Sequence, residues 1–142
     1  MDSVSKPDGV TGKLCNWIAN IKYSDIPEHI KERAKYLLLD GIACALVGAH
    51  LPWSETAVNA LLEYEDTANN GPYTLIGWPD RHLSPMNASL LNSTFIQGFE
   101  LDDWHFIAPL HSNAILLSSL LALADRSLVQ ALSYRNICAS NF

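Results

Sequence analysis

Two long apolar segments constrain the fold of this chain more than any other feature. The first, "YLLLDGIACALVGA" at residues 36–49, has 13 residues after its tyrosine, fewer than the roughly 20 that a helix needs to cross a bilayer. Its second half is apolar on every side, which predicts a helix buried on all its faces. The second segment, "NAILLSSLLALA" at residues 113–124, predicts another buried helix. Both are therefore expected to be core helices.

Helix-start and helix-stop signals divide the rest of the chain. Four helices are predicted before residue 100. They are residues 10–21 with Thr11 as cap, a long helix within 23–49 that Ser24 or Asp25 can cap, with Pro27 in its first turn and a stop at Gly48, residues 54–65 with Ser54 as cap, and 85–99 after Ser84. The segment "YTLIG" at residues 73–77 is the one short extended piece, and it follows a loop, "DTANNGP". Five helices and one extended segment predict an all-α domain.

Charge and cysteine content exclude several classes of function. The formal net charge is −6, with 15 acids against 9 bases, which argues against a nucleic-acid or membrane partner because both present phosphates to be neutralised. Cys15, Cys44 and Cys138 form no CxxC pair and are interpreted as reduced packing residues. The first ten residues have neither a basic, apolar leader pattern nor an arginine-rich one. A cytoplasmic location is therefore expected.

One stretch concentrates the ionisable groups, "FELDDWHFIAPLHS" at residues 99–112. It places Glu100, Asp102 and Asp103 near two histidines, His105 and His111, between two helices. Like charges at this range raise the pKa of at least one carboxyl, which suits a proton donor near neutrality. A histidine across the loop can serve as acid, base or anion donor. The stretch is therefore the candidate site.

Three other interpretations of this stretch stay open on the residues alone. It could be a solvated acidic loop, although its apolar members favour a pocket wall with a few polar groups: Trp104, Phe106, Ile107, Pro109 and Leu110. Carboxylates and imidazoles could hold a metal, with Asp102, Asp103, His105 and His111 as ligands, but their spacing matches no recognised motif. The segment "DDWHF" could be a broken DDxxD diphosphate motif, yet its third acid and a basic partner are missing.

Several segments, taken in order, resemble the N-terminal part of the MmgE/PrpD family. "ERAKYLLLDGIACALVGA" is followed by "PWSE", "LIG", "NSTFIQGFELDD" and "APLHS", and the resemblance covers residues 10–125. It is closest to the fungal cis-aconitate decarboxylase branch. The resemblance implies an all-α helical domain, a homodimer, and no metal or organic cofactor. The implied reactions on small di- and tricarboxylates are decarboxylation of cis-aconitate to itaconate or, alternatively, dehydration of 2-methylcitrate.

The resemblance also implies roles for individual residues. The paired acids of the family fall on Asp102 and Asp103, and its histidine after the loop falls on His111. The implied site is catalytic at Asp102, Asp103 and His111 and substrate-binding at Glu100, Trp104 and Ser112. Tryptophan at position 104 replaces a threonine common in the family, and serine at position 112 replaces a proline. These departures favour the decarboxylase branch, and His105 is left without a role.

The resemblance ends before the chain does. The expected organisation is a flexible tail at 1–9, a partial MmgE/PrpD-like helical domain at 10–125 and a divergent tail at 126–142. Because the family's other pocket groups are not encoded here, the chain is expected to be a truncated portion that is inactive alone. A second hypothesis is a non-enzymatic helical module that binds a partner through the apolar helices at 38–47 and 115–123.

Overall fold

The computed structural model describes residues 8–65 and 73–139, with side chains described up to residue 126. Its helices are α1 Val10–Asn20, α2 Glu28–Gly48, α3 Pro52–Tyr64, α4 Pro85–Gln97 and α5 Ser112–Ala139, with a 3₁₀ turn Tyr23–Asp25 before α2. The described ranges contain five α-helices and no β-strand, which confirms the all-α prediction. The predicted loop at 66–72 and most of the predicted N-terminal tail, 1–7, lie outside the described residues.

The chain divides into two compact units, Met1–Lys35 and Tyr36–Phe142. In the first unit, α1 begins after Gly9 without a side-chain cap, so the prediction of Thr11 as cap is wrong. The Asp25 carboxylate accepts a hydrogen bond from the Lys22 backbone at 3.0 Å, which closes the 3₁₀ turn. This unit also has an open groove of about 770 Å³, lined by Lys13, Asn16, Trp17, Asn20, Ile21, Asp25, Ile26, Pro27 and Ile30.

The core of the second unit forms around α4. Its largest fully buried apolar side chains are Phe95, Leu83, Leu91, Ile96 and Val58. Helix α4 begins as predicted, with the Ser84 hydroxyl accepting from the Asn87 backbone at 3.4 Å. Helix α3 begins two residues earlier than predicted, so Ser54 lies inside the helix and is fully buried. The prediction of Ser54 as cap is therefore wrong.

The apolar half of α2 is not buried on every side, which corrects the sequence-based expectation. Its buried face consists of small residues, Gly41, Cys44, Ala45 and Gly48. Glycine at position 48 lets α2 approach α4 closely, since a Cβ there would lie 1.9 Å from the Phe95 carbonyl oxygen. Large side chains remain exposed on α2 and α5: Leu38, Leu39, Ile42, Leu46, Val47, Ile115, Leu116, Leu120 and Leu123.

The segment predicted as extended is held by side chains instead of a strand partner. The Asn92 amide donates to the Thr74 carbonyl at 2.8 Å and accepts from the Ile76 backbone at 2.9 Å. The Asp125 carboxylate accepts from the Thr74 backbone at 2.6 Å, which ties this segment to α5. These bonds satisfy backbone groups that a β-ladder would otherwise satisfy.

Helix α5 is longer than the sequence predicted. It begins at Ser112, one residue before the predicted start, and continues past the predicted end at Ala124 to Ala139. The proposed boundary between residues 125 and 126 therefore lies inside one continuous helix. That boundary concerns sequence divergence and stays a prediction.

No single described helix is both long and apolar enough to span a bilayer. The pair α2 and α3, which is bent by 82°, meets the length and composition criteria only when its two helices are joined.

Candidate functional site

The candidate site is built on the loop between α4 and α5. Here Asp102 is almost fully buried, and its carboxylate meets the His111 ring across nine residues of sequence. Nδ1 of the imidazole lies 3.1 Å from both carboxylate oxygens. The structure therefore brings together two of the residues to which the sequence assigned catalysis.

Burial perturbs the acid of this pair. The pKa of Asp102 is raised above the ordinary value of a carboxyl, because removal from water disfavours the charged form. The hydrogen bond and the charge of His111 act in the opposite direction, and Asp103 adds a smaller raising effect. Desolvation thus outweighs the stabilisation that His111 provides.

The geometry of the pair assigns the two ring nitrogens of His111. When Asp102 is ionised, its carboxylate only accepts hydrogen bonds, so Nδ1 then carries the proton that points at Asp102. This leaves Nε2 as the nitrogen that can take up or release a proton. The histidine side chain keeps about 22% of its surface exposed, whereas the Asp102 side chain has none exposed. The arrangement holds a histidine in one orientation with one reactive nitrogen available.

Asp103 caps a helix and does not contact His111 as Asp102 does. Its two oxygens accept hydrogen bonds from the Ser112 backbone at 3.1 Å and the Asn113 backbone at 2.8 Å. These amides belong to the first turn of α5, where unpaired N–H groups and the helix dipole favour a carboxylate. Ser112 contributes its backbone amide to this cap. The catalytic role of Asp103 and the substrate-binding role of Ser112 stay predictions.

Glu100 lies on the other side of the imidazole. Its Oε2 is 3.9 Å from His111 Nε2, and its side chain is 72% exposed. Its backbone φ is +57°, so it is the one described residue other than glycine in the left-handed region. The predicted acid at this position is therefore adjacent to His111, at ion-pair distance and without a hydrogen bond.

The apolar residues of the loop do not form a closed pocket wall in this chain. Trp104, Phe106 and Ile107 are 61–75% exposed, and Leu110 is 44% exposed. The loop is held from inside, since the Leu110 carbonyl accepts from the His105 backbone at 3.1 Å and the His105 ring accepts from the Ala108 backbone at 3.2 Å. The substrate-binding role of Trp104 stays a prediction.

The described side chains offer neither a metal cluster nor a cation to this site. Nowhere in the described ranges do three histidine, cysteine or acidic side chains come together as metal ligands. Among the described side chains, no lysine or arginine forms an ion pair with the three carboxylates. Glu100 and Asp102 pair with His111, and Asp103 accepts from backbone amides. The sequence has neither residue type between Arg81 and Arg126. An anionic substrate would therefore need cations from elsewhere.

Sequence reasoning missed Asn113. Its side chain donates to the Leu37 carbonyl at 2.8 Å, while its backbone donates to Asp103, so it joins α2 to the loop and α5. Gly41 makes room for this contact, since a Cβ there would lie 2.9 Å from the Asn113 side chain. The only signal in the sequence was an amide residue at the start of an apolar helix.

Comparison with known proteins identifies relatives of the chain. Residues 12–132 match the model of the MmgE/PrpD N-terminal domain. The chain is 49% identical, over 137 residues, to a cis-aconitate decarboxylase-like protein, oryM, of Aspergillus oryzae, covering 96% of this chain and 27% of that protein. It is 48% identical, over 124 residues, to the cis-aconitate decarboxylase of Aspergillus terreus, covering 87% of this chain and 24% of that enzyme.

The same comparisons bound what the similarity covers. The chain spans about a quarter of the length of the curated relatives it matches. No solved structure matches it significantly. The similarity therefore extends through the candidate site and leaves most of each relative unmatched.

Proposed function

The chain belongs to the MmgE/PrpD family, and from this membership we propose that it forms one wall of the active site of a lyase acting on small tricarboxylates, with cis-aconitate as substrate. Itaconate is the proposed product. The observation that carries the proposal is the buried Asp102 bonded to His111 Nδ1, which leaves Nε2 for proton transfer. Dehydration of 2-methylcitrate is the alternative reaction of the same family.

The proposed chemistry needs one proton. Cleavage of the bond between the methylene carbon and its carboxylate releases carbon dioxide, and the freed electron pair forms a new double bond between the methylene and the central carbon. The original double bond places its electron pair on the former vinyl carbon, which takes the Nε2 proton of a protonated His111, so the reaction from cis-aconitate to itaconate balances. Asp102 is then a positioning residue, because it orients the imidazole and stabilises its charged form without contacting the substrate.

The chain alone is proposed to be inactive. A tricarboxylate brings three negative charges to a region where Glu100, Asp102 and Asp103 already lie, and no described lysine or arginine pairs with them. Like charges in a partly desolvated site repel, so His111 alone holds a carboxylate only weakly, and productive binding of all three carboxylates requires cations that a further stretch of polypeptide would supply.

A chimera tests the proposed function. Residues 12–132 of this chain replace the aligned segment of the A. terreus enzyme, and release of carbon dioxide from cis-aconitate is measured. We expect an active chimera, with kcat reduced by about 100-fold or more by His111→Gln, the range that general acid catalysis provides. The exposed His29 is the matched control, and His29→Gln should leave activity unchanged.

Two outcomes would contradict the proposal. One is a chimera that melts cooperatively yet releases no carbon dioxide. The other is full activity in the His111→Gln chimera. The same purified chimera is also assayed with 2-methylcitrate. Conversion of this substrate, without conversion of cis-aconitate, would select the dehydratase alternative.

The exposed apolar faces support a second candidate function, a helical module that binds a partner. Leu39 and Val47 on α2 and Leu116 on α5 are each about 60% exposed, and the two helices contact one another through Gly41 and Leu117. Exposed apolar surface on adjacent helices marks an interaction site. The proposed occupant is the part of an MmgE/PrpD polypeptide that this chain does not match, three-quarters of each relative.

Mixing the chain with the A. terreus enzyme tests this second candidate by light scattering after size exclusion. We expect a mixed complex, lost on combining Leu39→Asp with Leu116→Asp and kept in Tyr64→Asp, a change at an exposed site on α3. Self-association of the chain without a mixed complex would contradict this occupant and favour the homodimer that the family resemblance implies.

A further inference from the structure

We propose that the Glu100 carboxylate occupies the place beside His111 Nε2 where a substrate carboxylate first binds, before the substrate carbon takes the Nε2 proton, and that it competes with the substrate for this place. The inference rests on the proposed function, since it concerns the same histidine. Glu100 thereby weakens the binding of carboxylate anions at His111.

The distances define the competition. His111 has one nitrogen engaged by Asp102, so an incoming anion can approach only Nε2. Glu100 Oε2 already lies 3.9 Å from that nitrogen, near enough for charge attraction and too far for a hydrogen bond. A carboxylate that reached hydrogen-bond distance would gain a bond that Glu100 does not make. Glu100 therefore lies where an incoming carboxylate would bind, and it interacts with His111 Nε2 only weakly.

The backbone at Glu100 is a second, independent observation. The Glu100 amide donates to the Gln97 carbonyl at 3.0 Å and so closes the end of α4 with a left-handed residue. Helix ends of this kind usually use glycine or asparagine, which adopt that conformation at low cost. A glutamate kept there in a strained conformation is typical of functional positions. From this position its side chain reaches to 3.9 Å from His111 Nε2.

Exposure sets the size of the effect. The Glu100 side chain is 72% exposed, so water screens its attraction for the imidazole. Exposed ion pairs of this kind change an equilibrium by about two- to five-fold. Removal of the charge should therefore strengthen anion binding at His111 by about that factor.

Nuclear magnetic resonance of the isotope-labelled 142-residue chain tests the proposal. Cis-aconitate and acetate are titrated separately at about pH 6, where an ordinary imidazole is mostly protonated, while the His111 ring signals are followed. The variants are Glu100→Gln, which keeps the length of the side chain, and Glu100→Asn, which also suits the left-handed backbone. His111→Gln assigns the signals.

A second histidine–glutamate pair provides the matched control. His50 Nδ1 lies 3.7 Å from Glu55 Oε1, and both side chains are about half exposed. Glu55→Gln removes the same charge from the same kind of pair outside the site. We expect it to leave the dissociation constants at His111 at their wild-type values, while both Glu100 variants lower them by about two- to five-fold.

Each result decides a different claim. Dissociation constants in the Glu100 variants that equal or exceed the wild-type value would overturn the competition and leave the proposed function standing. If neither anion perturbs His111 in any variant, the histidine binds no carboxylate in this chain, and the inference is wrong. The chimera assay then decides separately whether the proposed function stands.

Discussion

The His111 ring meets the buried Asp102 carboxylate through Nδ1, 3.1 Å from each oxygen. This contact closes the loop between α4 and α5 and leaves a single ring nitrogen open. It also makes Asp102 depend on His111, because no other side-chain hydrogen bond to its carboxylate is found among the described residues.

Removal of the imidazole should destabilise the fold. His111→Ala leaves a carboxylate without exposed surface and without its side-chain partner, a loss of about 2–3 kcal/mol in the free energy of unfolding. Urea denaturation followed by circular dichroism measures it. His29→Ala, at an exposed position of α2, is the control and should change stability by less than about 0.5 kcal/mol. Equal free energies of unfolding for His111→Ala and His29→Ala would show that the buried Asp102 does not depend on His111.

Stability should vary with pH through Asp102. Burial raises the pKa of this carboxyl, so the folded chain holds its proton at pH values where the unfolded chain has released it. The resulting stabilisation is complete below the ordinary pKa of about 4 and is lost as the pH rises through the raised value. The free energy of unfolding of the wild type, minus that of Asp102→Asn, should therefore fall across this window. A difference that rises with pH would reverse the sign assigned here.

The cap made by Asp103 gives a separate prediction. Asp103→Ala removes both acceptors for the first turn of α5 and should cost about 1 kcal/mol or slightly more, with Asp103→Asn intermediate. In the chimera, a purely capping role predicts that Asp103→Asn retains most of the decarboxylase activity. A loss as large as that of His111→Gln would show instead that the carboxylate takes part in the chemistry.

The crossing of α2 and α4 should be intolerant of any side chain. A Cβ at Gly48 would meet the Phe95 carbonyl oxygen at 1.9 Å, so Gly48→Ala must separate the helices and should cost about 3 kcal/mol. Gly12→Ala inside α1 is the control, and helix propensity predicts a gain there of about 0.5–1 kcal/mol. Thermal melts of both variants test whether stability falls in Gly48→Ala and rises in Gly12→Ala.

One buried hydroxyl offers a stabilising change. Ser54 is fully buried in α3, and its Oγ has no hydrogen-bond partner among the described residues. Ser54→Ala should raise the free energy of unfolding by about 1 kcal/mol, because an unpaired polar atom no longer leaves water on folding. Ser118, also buried but donating to the Ala114 carbonyl at 2.6 Å, is the control and should gain nothing on change to alanine. A loss of stability in Ser54→Ala would indicate a partner for the hydroxyl.

Local sequence patterns predicted where the helices lie better than they predicted how deeply each helix is buried. The periodic apolar segments and the Ser84 start signal led to correct helix positions, because both act within a few residues. The burial expected around α2 was wrong, since burial depends on which other segments are present to cover a helix. Asp40, which interrupts the apolar segment of α2, is exposed for the same reason.

The sequence by itself determined the helical class and the position of the candidate site, because periodicity and the clustering of ionisable residues are properties of neighbouring positions. Only the tertiary structure decided what each carboxyl does. Asp102 and Asp103 are adjacent in the chain, yet one is buried against His111 and the other caps α5. That division depends on how the loop returns nine or ten residues later, and packing of the loop against α5 and α2 sets this path.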